Sequence, residues 1–224
     1  YALAKSMKET GVAHALVFSA ATTPKQVQHI NDYITACCAE NADFTGFGTL
    51  HPYMEDVERE VERCVQLGLR GFKFHPDLQQ FYIDEPRALD MLSAIEKRRM
   101  PVLFHMGDAR YTYSAPERLR NAMEKFPDLI CIGAHFGGYQ QWDASMKYLK
   151  DTSAYFDTSS ALAFVGPDKA ADMLRYFGVK RFMFGTDFPM WEPSGELERF
   201  FALRLTEEER QRILHGTFEE LFGE

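Results

Sequence analysis

Residues 69–75 (LRGFKFH), 85–98 (EPRALDMLSAIEKR) and 101–107 (PVLFHMG) follow one another as a short apolar run, a longer amphipathic run and a second short apolar run. The short runs are rich in phenylalanine, valine and leucine and bounded by turn-forming residues, which is how buried strands read. The longer run places Pro86 in its first turn, where the missing N–H costs no hydrogen bond. Strand, helix and strand in that order make a βαβ unit, and such units build parallel sheets covered by helices.

The same alternation extends in both directions. Strand-like runs recur at residues 14–20 (HALVFSA), 44–50 (FTGFGTL), 129–136 (LICIGAHF), 154–161 (AYFDTSSA) and 181–187 (RFMFGTD), making seven in all. Helical runs are expected over residues 24–40, 55–68, 116–126, 139–150, 167–177 and 206–221. Within 55–68, Val57, Val61, Cys64 and Val65 form one apolar stripe and Gly68 supplies a stop. Thr206 and Glu209 have the spacing of a capping box before the last helix.

An open doubly wound sheet and a closed (β/α)8 TIM barrel both fit repeated βαβ units. The glycine-rich turn of a dinucleotide-binding open sheet is missing, because GFGTL lies inside a strand. His75, His105, His135 and Asp187 stand at or near the ends of four strands, and His51 directly follows a fifth. Barrels build their active sites at that end of their strands, from several strands at once. The expected fold class is therefore an α/β barrel with its catalytic mouth marked by histidine and aspartate.

The chain of 224 residues, 46% hydrophobic with 19 phenylalanines, is long enough for one domain over residues 1–224 and too aromatic for a disordered segment. It is short for a barrel, which usually takes about 250 residues. A formal net charge of −8 argues against nucleic acid or an anionic membrane as partner and leaves a small-molecule substrate. No stripe demands a homo-oligomer, although such barrels tolerate one. Four scattered cysteines do not form a disulfide framework, and no apolar run is long enough to span a bilayer, so a soluble, cytoplasmic protein is expected.

Imidazole nitrogen and carboxylate oxygen are the ligands of catalytic divalent ions, which lower the pKa of bound water to about 7. His105, His135 and Asp187 are the candidate metal ligands. Zinc suits them best, with manganese and iron tolerated. Alternation puts Lys73 and His75 on one face of their strand and Phe72 and Phe74 on the other, so the lysine is expected to point into the barrel. His14, His29 and His215 read as structural, and His51 and His75 precede prolines and can equally serve their loops.

The run 46–76 (GFGTLHPYMEDVEREVERCVQLGLRGFKFHP), followed by PVLFHMG, IGAHFGG, MFGTDFP and the closing ILHGTFEELFG, resembles the amidohydrolase-related branch of the amidohydrolase superfamily, which includes aminocarboxymuconate-semialdehyde decarboxylase. The resemblance implies a (β/α)8 barrel with a mononuclear or binuclear metal centre. It matches His105 to the fifth-strand ligand, Asp187 to the eighth-strand aspartate that binds metal and handles protons, and His135 to the sixth-strand histidine. The family's first strand ends in His-x-His and supplies two further ligands, but no His-x-His occurs in this sequence. Residues 1–11 resemble the helix that follows that strand. The first strand is thus the one missing from the count, and because unpaired parallel edges invite aggregation, an omitted N-terminal segment is expected.

The functional expectation is a metal-dependent hydrolase in which Asp187 takes a proton from activated water and His135 steadies the developing charge. The alternative is a non-oxidative decarboxylase using the same centre, with Lys73, His75 and Arg110 gripping a carboxylate and Tyr111, Phe136 and Trp191 walling a planar substrate. A non-catalytic, degenerate barrel is the third reading, drawn from the absent His-x-His.

Overall fold

The computed structural model describes residues 2–223. All seven expected strands form: β1 (Ala15–Val17), β2 (Phe44–Gly46), β3 (Phe72–Phe74), β4 (Val102–Phe104), β5 (Cys131–Gly133), β6 (Tyr155–Asp157) and β7 (Phe182–Met183). Each is shorter than its apolar run, because the chain bends into the site as soon as the ladder ends. His75, for example, already caps a helix, and residues 135–137 all have positive φ.

Every pairing is parallel. β1 pairs with β2, and β3 to β7 pair in sequence order. A parallel bridge between Gly48 and Phe72 joins the two sets. Among the described residues β7 and β1 share no ladder, so the arrangement is that of a (β/α)8 barrel one strand short.

The helices are α1 (Ala2–Thr10), α2 (Val27–Glu40), α3 (Val57–Gln66), α4 (Pro76–Gln79), α5 (Pro86–Glu96), α6 (Pro116–Lys125), α7 (Trp142–Leu149), α8 (Leu162–Val165), α9 (Pro167–Phe177), α10 (Pro193–Phe201), α11 (Glu207–Gln211) and α12 (Thr217–Phe222). α1 packs against α10, and Ser6 Oγ donates to Glu192 Oε2 at 3.1 Å. The Thr206 capping box forms, but residues 206–221 are not one helix: a π-helical turn, Arg212–Gly216, separates α11 from α12. α4, α8 and α10 were not foreseen; α10 begins at Pro193 and has Gly195 in its first turn, punctuation that reads as loop. On α3 Val65 is exposed, and the stripe instead takes in Glu60, whose Oε1 is met by Asn31 Nδ2 and Arg63 Nη2 at 2.8 Å each.

Alternation along the strands sorts two apolar layers. Phe72, Phe74, Val102, Phe104, Cys131, Phe156 and Phe182 face outward into the helices. Leu103, Ile132, Ala134 and Met183 face inward with Phe47 and Phe222. Phe218 and Phe222 of α12 close the interior from the N-terminal ends of the strands, with Phe222 edge-on to Phe47 at 5.8 Å. The four cysteines are free thiols, and no helix among the described residues is long and apolar enough to cross a membrane.

Gly71 lies so close beneath Phe47 that an added Cβ would sit 2.4 Å from the ring's Cζ. Gly71→Ala is expected to lower stability by about 1–3 kcal/mol in urea unfolding, the usual cost of overpacking. The loss should shrink when Phe47→Leu is present. A midpoint unchanged by Gly71→Ala would mean that the ring has room to retreat.

Candidate active site

Parallel register sets neighbouring strand ends level. Phe74 is opposite Phe104, so His75 and His105 emerge side by side, and their rings stack 3.8 Å apart at 9°. β5 reaches the same point differently. Ala134 faces inward, so strict alternation would send His135 outward; His135 instead adopts φ 61°, and its ring turns back over the strand ends. His135 Nε2 comes to 3.1 Å from His105 Nδ1.

The outer partners of these rings fix their tautomers. His105 Nε2 meets the Gly107 carbonyl at 2.9 Å and must donate to it. Ser159 Oγ gives its only hydrogen to Asp157 Oδ1 at 2.6 Å, so toward His135 Nδ1, 2.9 Å away, it can only accept. The Ser159 carbonyl, 3.0 Å from the same nitrogen, demands the same. With both rings neutral, His105 Nδ1 and His135 Nε2 turn lone pairs toward one another. That arrangement is repulsive unless a cation lies against both, and imidazoles whose far N–H is held by a carbonyl are the usual ligands of a metal ion. The donor set fits a divalent ion.

Burial, first of all, pushes the pKa of His105 far below that of a free imidazole, and the neighbouring imidazoles and Lys73 add to the effect. Burial likewise lowers His135, against the pull of Asp157. His75 is lowered to about 4, by burial and then by Lys73. All three rings are neutral at pH 7, as metal ligation requires.

Asp187, at φ 59°, follows β7; its Oδ2 accepts from Ser160 Oγ at 2.8 Å, and Ser160 Oγ accepts from Trp191 Nε1 at 3.1 Å. Lys73 is buried in the interior, as alternation predicts, with Nζ 4.8 Å from the centre of the Phe18 ring. Burial lowers its pKa to about 8, against the attraction of the Asp157 and Asp187 carboxylates.

A second grouping has metal-binding chemistry: ligand-capable atoms of His75, Asp77 and His105 lie within 4.8 Å of one another. In it His75 Nδ1 already accepts from the Leu78 N–H at 3.3 Å, which puts the ring proton on Nε2. His75 therefore presents a donor rather than a lone pair, and the His105–His135 pair is the better ligand set.

Other expected site residues lie differently. Arg110 is exposed, and its guanidinium is tied to its own neighbour, Asp108, at 2.9 Å. Phe136 is not a substrate wall: the flip at His135 sends its ring into the outer core, 5.0 Å from Phe182. Trp191 spends its N–H on Ser160, and Arg199 lies 5.0 Å over its ring. His51 and His14 are engaged elsewhere, His14 Nε2 with Thr45 Oγ1 of β2 at 2.9 Å and His51 Nδ1 with the Tyr53 N–H of its own loop at 3.3 Å. Sequence reasoning missed Asp157, Ser159 and Ser160, although the run FDTSS ends its strand on a carboxylate as the other marked strands end on theirs.

The amidohydrolase family model matches residues 2–223. No curated protein matches the sequence. Among solved structures, 5-carboxyvanillate decarboxylase from Sphingomonas paucimobilis superposes with TM-score 0.79 at 17% identity, covering 100% of this chain and 82% of its own. For 2,6-dihydroxybenzoate decarboxylase from Rhizobium the values are 0.78, 20%, 99% and 87%. The manganese complex of 5-carboxyvanillate decarboxylase from Novosphingobium aromaticivorans with 4-hydroxy-3-methoxy-5-nitrobenzoic acid gives 0.82, 17%, 100% and 80%. At these identities the likeness establishes the barrel fold.

A lysine that is half-deprotonated near pH 8 when folded, against 10.5 for a free lysine, destabilises the fold wherever the unfolded chain holds the proton more readily. The full penalty, about 3 kcal/mol, applies below pH 8 and fades as pH rises toward 10.5. In metal-free protein Lys73→Met is expected to be the more stable at pH 7, with the gap narrowing above pH 8 in urea titrations. A gap independent of pH would refute this account of Lys73.

Proposed function

The chain belongs to the amidohydrolase family, and from that premise we propose that it is a metal-dependent lyase that removes a carboxylate group from a small, planar acid. The observation that carries this reading is Lys73, a buried ammonium inside the barrel beside three neutral imidazoles. A buried cation in that position suits an anionic substrate, and its carboxylate would relieve the cost of burying the charge. The decarboxylases that share the fold act on hydroxylated benzoates, which supports a substrate of that class.

His105 Nδ1, His135 Nε2 and Asp187 would hold the ion, manganese or zinc. When bound, such an ion polarises a substrate oxygen as a Lewis acid. Lys73 attracts the carboxylate and aligns it. His75 turns its Nε2–H toward the site and donates to a substrate oxygen. Loss of CO2 leaves an electron pair on the substrate carbon, which must take a proton. Asp187, held through Oδ2 by Ser160, has Oδ1 left to relay a proton taken from solvent to that carbon, so that the acid anion and one proton give the protonated product and CO2. His135 and Lys73 are both buried, so their interactions act in a low dielectric.

The family description favours one second reading, hydrolysis, in which Asp187 would take a proton from water instead. Supplying manganese-loaded protein with a panel of hydroxybenzoates and lactones separates the two. Release of CO2 without 18O entering the product from labelled water is expected. Lys73→Met should lower kcat/KM about 100-fold or more, the scale of losing one half of a buried charge pair. Label in the product with no CO2 would establish hydrolysis in its place.

A further inference from the structure

We propose that the turn leaving β6, residues 157–160 (DTSS), is the positioning element of the site: Ser159 sets the tautomer of His135, and the adjacent Ser160 sets the carboxylate orientation of Asp187. The inference rests on reading His135 and Asp187 as metal ligands.

Asp157 organises the turn. Its Oδ1 accepts from the His135 N–H and the Ser159 N–H at 3.0 Å each and from Ser159 Oγ at 2.6 Å. The last bond commits the Ser159 hydrogen and leaves the hydroxyl oxygen with only lone pairs for His135 Nδ1. His135 must then keep its proton on Nδ1 and its lone pair on Nε2, toward His105.

Ser160 is fixed from two directions. The indole N–H of Trp191 can only donate, so the Ser160 oxygen accepts there and its hydrogen goes to Asp187 Oδ2. Trp191 is held in turn by Arg199, 5.0 Å over its ring, and by the edge of Phe164 at 6.0 Å. Arg199 is anchored at 2.7 Å by the fully buried Glu196. One oxygen of Asp187 is thereby occupied and the other presented to the site.

Both serines are nearly fully buried, at 4% and 6% exposure, so neither hydroxyl serves as solvent-facing turn chemistry. At Ser160 the φ of 54° asks for glycine or asparagine on backbone grounds alone. Serine there is explained by its bond to Asp187. The two bonds reach residues that lie far apart in the chain from neighbouring points on one turn, so a single strand end orients two ligands.

The test measures Mn2+ binding by calorimetry in the whole chain and in Ser159→Ala, Ser159→Thr, Ser160→Ala and Trp191→Phe, alongside thermal melting of each metal-free protein. Wild type is expected to bind Mn2+. Each alanine variant should bind it about 10–100-fold more weakly, the usual effect of removing a residue that orients a ligand. Ser159→Thr should restore most of the loss at 159, Trp191→Phe should reproduce part of the loss at 160, and metal-free melting should move little. Unchanged affinity in both alanine variants overturns the inference and leaves the metal site standing. So does a loss that tracks a collapse in metal-free melting and that Ser159→Thr does not restore. Failure of the wild type to bind Mn2+ overturns the inference together with the metal site.

Discussion

Everything at the mouth of this barrel depends on parallel strands in register, broken at chosen residues by left-handed backbone. The ladder sets Phe72, Phe74, Phe104 and Phe156 outward and Lys73, Leu103 and Asp157 inward, so apolar packing and charge are separated by a single step of alternation. One residue beyond the ladder the same rule still sets His75 against His105. At His135 the rule is suspended: a φ of 61° turns the side chain toward the site from a position that extended backbone would not deliver, and Asp187 adopts a similar φ of 59°. Residues other than glycine pay for this conformation, and it is accompanied by the hydrogen bond of the His135 N–H to Asp157 and that of the Ser160 hydroxyl to Asp187.

The second constraint is electrostatic. Three imidazoles and an ammonium share a small, largely buried volume, where an unpaired charge would be costly. The imidazoles meet it by staying neutral. Lys73 stays charged near neutral pH because Asp157 and Asp187 lie close enough to offset its burial. Asp157 thus serves two purposes, as counter-charge to Lys73 and as the acceptor that shapes the turn beneath His135. Removing it would disturb the chemistry and the geometry together.

The fold was legible in the sequence because its carriers are periodic. All seven strands appear where short apolar runs sit between helical stretches, and the inward lysine of GFKFH follows from period two alone. His105 was legible on the same grounds. His135 was found as a strand-end histidine, yet by alternation it should have faced the helices; the flip that brings it in is the flip that removes Phe136 from the site. Ser159 and Ser160 were not legible. Their roles depend on contacts with residues 135 and 187, which no local pattern encodes. Helix α10 was hidden by the proline and glycine at its start, and with it the chain of contacts from Glu196 through Arg199 to Trp191.

Side chains as well as backbone hold Asp187. Among the described residues β7 has a ladder partner on one side only, β6. His105 and His135 follow strands that are paired on both sides, and backbone hydrogen bonds set their positions. Asp187 follows the two-residue strand β7. Ser160 and Trp191 hold the carboxylate, while α1 packs against α10. Asp187 thus acquires a fixed orientation through two hydrogen bonds in series: the Trp191 indole can only donate, so the Ser160 oxygen accepts from it and the Ser160 hydrogen goes to the carboxylate.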